Sequence, residues 1–77
     1  MVYPNPAKNS ITFEFSEDIN TNVQIIIYDI FGKEVIHRDF SQKKLFNMDI
    51  SSLANGIYFY KIIKNNEILN NDKLIKL

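Results

Sequence analysis

The sequence predicts an all-β domain, a small sandwich of seven short strands. Three observations carry that expectation. Runs rich in β-branched and aromatic residues recur along the chain, and several alternate apolar with polar positions as a half-buried strand requires. Turn signals fall about every ten residues, the spacing of an all-β sandwich. No segment combines the length and the 3.6-residue period that a helix needs.

Asn55-Gly56 followed by Ile57-Tyr58-Phe59-Tyr60-Lys61-Ile62-Ile63-Lys64 is the strongest strand signal. Little in it is polar except the two lysines, so the expectation is a central strand with a neighbour on each side and both faces at least partly covered.

At the start, Val2-Tyr3-Pro4-Asn5-Pro6 cannot enter a helix, because each proline lacks its N–H and drives the preceding residue toward extended geometry. It reads as an extended lead-in with Tyr3 against the core, followed by a turn over Ala7-Lys8-Asn9-Ser10. Ile11-Thr12-Phe13-Glu14-Phe15 alternates strictly and places Ile11, Phe13 and Phe15 on the buried face. A polar loop from Ser16 to Asn22 leads into Val23–Tyr28, with Val23, Ile25 and Ile27 inward. Asp29-Ile30-Phe31-Gly32 fits a type I turn continued by a left-handed glycine.

The return strand, Lys33–Phe40, offers Val35 as its core residue, although Ile36 shares parity with Phe40 and a bulge or change of face would accommodate both. Beyond the polar loop Ser41–Lys44, Leu45–Ile50 puts Phe46, Met48 and Ile50 on one face. Ser51-Ser52-Leu53-Ala54 is too short for a helix and reads as a single 3₁₀ turn capped by Ser51, with Leu53 in the core. Asn65-Asn66 closes a hairpin, since asparagine tolerates positive φ. Glu67–Leu69 then forms a short strand, Asn70-Asn71-Asp72 a turn, and Lys73–Leu77 the last strand. The pattern is that of an immunoglobulin-like β-sandwich with Greek-key connections.

Composition narrows the function. The 77 residues make one domain, 45% hydrophobic with six Phe and four Tyr. Nine basic residues balance nine acidic ones, so the electrostatic footprint of a nucleic-acid or anionic-membrane binder is missing. No run of about 18 apolar residues exists to span a bilayer, and the prolines and asparagines of the first ten residues take the place of a leader's apolar core. Without cysteine there is neither a disulfide staple nor a thiolate site. A domain this small without staples is expected as a module of a longer protein.

Candidates for chemistry are few. His37 is the only histidine and reads as a surface strand residue, with no partner for a zinc site. Glu17-Asp18-Ile19-Asn20 is too sparse for a calcium loop. Tyr28, Tyr58, Phe59 and Tyr60 could form a stacking platform for a carbohydrate, with sheet packing the more common use of such residues. No phosphate loop appears. The residues therefore describe a non-enzymatic module with no cofactor and no metal, with a carbohydrate-binding or adhesive accessory module as the alternative to any other role.

Four motifs in one order say more. They are Tyr3-Pro4-Asn5-Pro6, Ile27–Val35 with Asp29-Ile30-Phe31-Gly32 at its centre, Met48–Tyr58 with Gly56-Ile57-Tyr58 at its end, and Lys73-Leu74-Ile75-Lys76. Together they resemble the C-terminal sorting domain of type IX secretion cargo (type A, the Por secretion tail family), and the resemblance covers essentially the whole chain. It implies a transport signal of Bacteroidetes-type bacteria. A Sec leader elsewhere in the precursor takes the cargo to the periplasm, and outer-membrane machinery recognises the folded tail. A sortase-like cysteine peptidase then removes the tail and attaches the cargo to an anionic lipopolysaccharide, so that the cargo ends secreted or at the cell surface. The domain is then that peptidase's substrate, cut upstream of Tyr3.

Carried over by position, Lys73, Leu74, Ile75, Lys76 and Leu77 are the recognition stretch. Pro4, Asn5, Pro6, Gly32, Gly56 and Tyr58 are motif positions that read as scaffold. The penultimate hairpin departs from the family pattern, having Asn65-Asn66 where a glycine is usual. The terminal lysines read as part of an exposed edge strand, either open to strand addition by a partner or serving only as edge protection.

Overall fold

The computed structural model describes residues 2–15, 22–41 and 45–77. Its strands are β1 (Val2–Tyr3), β2 (Ser10–Glu14), β3 (Asn22–Tyr28), β4 (Glu34–Ser41), β5 (Leu45–Asp49), β6 (Gly56–Lys64) and β7 (Glu67–Lys76). They form a three-stranded sheet in the order β1-β2-β5 and a four-stranded sheet in the order β4-β3-β6-β7, antiparallel throughout. The chain changes sheet after β2, after β4 and after β5, which is the Greek-key sandwich expected from the turn spacing.

Period-two alternation supplies the core. Ile11 and Phe13 of β2 and Phe46 and Met48 of β5 face Val23, Ile25 and Ile27 of β3 and Tyr58, Tyr60 and Ile62 of β6. The Phe13 and Tyr60 rings meet edge to face across the sandwich, 5.5 Å between centroids, while Phe40 of β4 stacks on Phe46 of β5 at 4.5 Å. Phe15 is half-buried and packs on Phe46 as well.

β6 has β3 on one side and β7 on the other, as its composition indicates. Its outer face is less covered than expected: Ile57 and Phe59 are 48% and 45% exposed. Apolar residues on that face therefore do not report a second packed layer.

Turn chemistry matches the local sequence closely. Gly32 donates to the Asp29 carbonyl, and the Asp29 side chain accepts from the N–H groups of Phe31 and Lys33, both at 2.9 Å. Gly32 takes φ +84°, and Asn65 and Asn66 take φ +51° and +66° at the β6–β7 hairpin.

Elsewhere longer-range pairing prevails. Ile36, not Val35, is the buried residue of β4, because the ladder shifts register at Ile27/Tyr28 and leaves Val35 half-buried. Val2, not Tyr3, packs on the core, and the Tyr3 hydroxyl donates to Glu14 at 3.1 Å. That hydrogen bond to a carboxylate holds the phenol's pKa above its usual value. The β5–β6 corner is a single turn in which Leu53 donates to the Ile50 carbonyl. Asp49, not Ser51, supplies the capping oxygen, accepting from the Ser51 N–H at 2.9 Å. The Ser51 side chain and then its N–H favour the ionised carboxylate and hold Asp49 below the usual carboxylate range, with Arg38 adding to them.

The expected turn at Asn70-Asn71-Asp72 is absent. These residues pair with Ile62, Lys61 and Tyr60, so β7 is one strand of ten residues with an irregularity opposite Ile62/Ile63. The lead-in in turn counts as β1, so the described residues form seven strands with a different partition.

Candidate functional site

The two ends of the domain meet in one seam. β7 is the outermost strand of its sheet, and the residues that follow β1 run alongside its last part, with Ala7 bridging Lys76 in parallel. In a ladder, alternate residues turn their backbone groups to opposite edges, so Lys73, Ile75 and Leu77 turn theirs away from β6.

Every one of those outward groups that would invite another strand is taken. The Asn5 Nδ2 donates to the Lys73 carbonyl at 2.9 Å, and the Asn5 Oδ1 accepts from the Ile75 N–H at 3.1 Å. The Ala7 N–H donates to the Ile75 carbonyl at 2.8 Å, and the Ala7 carbonyl accepts from the Leu77 N–H at 2.7 Å. Asp72 accepts from the Lys73 N–H at 2.7 Å. The Asn5 side chain thus acts as one peptide group of a neighbouring strand, and Ala7 supplies the next. At about 0.5–1.5 kcal/mol net per bond, the four bonds to Asn5 and Ala7 contribute on the order of the few kcal/mol a domain of this size possesses.

Strand addition at residues 73–77 is therefore closed in the folded domain, contrary to the reading of an open edge. The sequence showed the Pro4-Asn5-Pro6 motif and the terminal motif but not their pairing. Ala7, fully buried, carried no signal at all, being a lone small residue between a proline and a lysine.

The five residues Lys73–Leu77, expected from the sequence as a recognition stretch, divide by face. Leu74 is fully buried and Lys76 is only 6% exposed, its ammonium donating to the Leu77 main-chain oxygen at 3.0 Å. Lys76 buries its methylene stem in the sandwich and keeps its charge at the rim, as long cationic side chains do. Lys73, Ile75 and Leu77 lie on the opposite face, where register places Ile75 beside Ile57 and Lys73 beside Phe59. Tyr28 pairs with Phe59, and the Lys61 ammonium sits 5.1 Å from the centre of the Tyr28 ring. A shallow depression lies over Tyr28, Phe59, Lys61 and Lys73.

The remaining motif positions hold the backbone. Gly56 opens β6 at φ +156° and Gly32 closes the β3–β4 turn; a Cβ at either would meet nothing within 4 Å, so the demand is conformational. Tyr58 is buried, and its hydroxyl donates to the Ala54 carbonyl at 2.8 Å. A tyrosine near the start of this strand bonding a few residues back fastens the corner of many immunoglobulin-like sandwiches.

Tyr58 and Tyr60 are both core residues, which removes two of the three tyrosines considered for a sugar platform. Burial first, and Asp72 second, raise the pKa of the Tyr60 phenol. His37 lies on the exposed face of β4 between Glu34 and Asp39, at 3.7 and 3.5 Å. Glu17 and Asp18 lie outside the described residues. Among the described residues no cluster of His, Cys, Asp or Glu could hold a metal ion, and no helix is long and apolar enough to cross a membrane.

A search of the curated proteins finds no match to this chain. The family described as the secretion system C-terminal sorting domain matches residues 1–77, the whole of it. Its members are sorting signals for type IX secretion, a role that engages the secretion machinery and leads through the cell envelope to the exterior or the cell surface. The chain belongs to this family of secretion system C-terminal sorting domains.

Proposed function

We propose that the domain serves its cargo as a removable address. The cargo passes through the periplasm, and the folded domain engages the outer-membrane part of the type IX machinery. A sortase-like cysteine peptidase then cuts upstream of Tyr3 and attaches the cargo to a surface lipopolysaccharide. In this reading the domain is a substrate and a ligand throughout, and Lys73–Leu77 is the stretch that the machinery requires. The observation that supports it most is that the terminal motif is held in one fixed geometry by the opening motif, through the Asn5 and Ala7 bonds to β7.

The test is a full cargo carrying this domain in a type IX-competent host. Removal of Leu74–Leu77 is expected to leave the cargo in the periplasm with the domain still attached. Normal surface delivery of the shortened cargo would overturn the reading.

A further inference from the structure

We propose that the secretion machinery reads the outer face of the β6–β7 ladder through its side chains, with Ile57, Phe59, Lys73, Ile75 and Leu77 as the contact surface. This rests on the sorting role proposed above and says where and how recognition occurs. Three observations lead to it.

The edge of β7 is closed from Lys73 to Leu77 by Asn5, Ala7 and Asp72, so a partner cannot hydrogen-bond to that backbone without dismantling the seam. The inward side chain of Leu74 is buried, and that of Lys76 is 6% exposed with its ammonium held on the Leu77 main-chain oxygen. What the terminal stretch presents is its outward half, and this is continuous with Ile57 and Phe59 through the ladder register. Phe59 at 45%, Ile57 at 48% and Leu77 at 54% exposure are apolar side chains open to solvent at one end of the sheet.

Charge indicates the occupant. The outward side chains of β6 are Ile57, Phe59, Lys61 and Ile63, and those of β7 opposite them are Ile75, Lys73, Asn71 and Ile68. Their charges are two lysines, and the nearest carboxylates, Asp72 and Asp29, line the depressions at their margin. A partner surface that is apolar at its centre and carries carboxylates opposite Lys61 and Lys73 complements this face. Such a surface would dock side chain to side chain, with an aromatic anchor in Phe59.

The experiment uses the same full cargo and measures the fraction delivered to the surface, with the melting temperature of each purified variant domain as a check on folding. The variants are Phe59→Ser combined with Lys73→Glu, Lys73→Glu alone, and Leu45→Ser as a control, an exposed apolar residue on the other sheet. Loss of an interface aromatic is expected to lower delivery about tenfold or more. Charge reversal alone should lower it less, and Leu45→Ser should leave it unchanged. Lys73→Glu carries the test if the double variant does not fold.

If the Leu74–Leu77 deletion blocks delivery but the folded Phe59 and Lys73 variants are delivered normally, the surface is wrong and the sorting role stands. If the deletion is delivered normally, the sorting role itself is wrong. A rise in delivery on Asn5→Ala, which opens the β7 edge, would point to strand addition and overturn the proposal.

Discussion

Asn5 accepts the backbone N–H of Ile75 across seventy positions of sequence, at 3.1 Å. The same amide donates to the Lys73 carbonyl, so one side chain closes two rungs of an edge. Asn5→Ala is expected to destabilise the domain by about 1–3 kcal/mol, two hydrogen bonds' worth. It should also accelerate hydrogen exchange at the Ile75 amide. Asn5→Asp keeps the acceptor for Ile75 but sets a carboxylate oxygen against the Lys73 carbonyl, so it should retain more protection at Ile75 than Asn5→Ala while still destabilising the edge. Unchanged exchange at Ile75 in Asn5→Ala would show that the bond is not made in solution.

Two lysines three positions apart should respond differently to the same change. Lys76 is buried along its stem, and Lys76→Ala is expected to cost about 1–2 kcal/mol by thermal or urea unfolding, mostly through lost packing. Lys73 is exposed, and Lys73→Ala should stay within about 0.5 kcal/mol of the parent. Equal losses at both positions would contradict the assigned faces.

Backbone conformation gives a pair of opposite signs. Gly56→Ala is expected to destabilise by about 1–3 kcal/mol although its Cβ touches nothing, because φ +156° is strained for any residue with a side chain. Asn66→Gly, at φ +66°, should stabilise by about 0.5 kcal/mol, since it converts the turn to the favoured Asn-Gly form. Unfolding midpoints of the two variants against the parent check both signs.

Tyr60 gives an alkaline signature. Its folded pKa is raised above the ordinary value of 10.0, chiefly by burial. The stability that goes with a neutral buried phenol is therefore fully present below the unfolded pKa. It is lost as pH rises from there through the folded value, because the unfolded chain releases the proton first. Tyr60→Phe should match the parent near neutrality and exceed it at high pH. Parallel stability curves for the two across the alkaline range would refute the assignment. Asp49 is lowered mainly by Ser51 and works at the other end of the scale: Ser51→Ala should reduce stability above the unfolded carboxylate pKa and converge with the parent in acid.

Much of the fold was legible because it is written locally. Alternation alone placed Ile11 and Phe13, Val23, Ile25 and Ile27, and Phe46, Met48 and Ile50 in the core. The Asp29–Gly32 and Asn65-Asn66 turns declared themselves by residue types with a defined conformational use. The readings that failed depend on residues far away in sequence. Asn70-Asn71-Asp72 looks like a turn in isolation, but β6 offers it a full row of partners and pairing prevails. Whether Lys76 lies inside or outside follows from register, because a slip of one residue exchanges the two faces. The seam was invisible for the same reason, since its donor and acceptor groups belong to opposite ends of the chain.

That seam also bears on translation. β7 is the last of the seven described strands to be synthesised, and Ala7 leaves the ribosome well before it. The early segment waits with unmatched backbone groups until Ile75 and Leu77 arrive, because its Ala7 N–H and carbonyl bond to those two residues. A chain stopped at Asp72 is expected to show rapid hydrogen exchange at the Ala7 amide. Protection of that amide in the shortened chain would break the link.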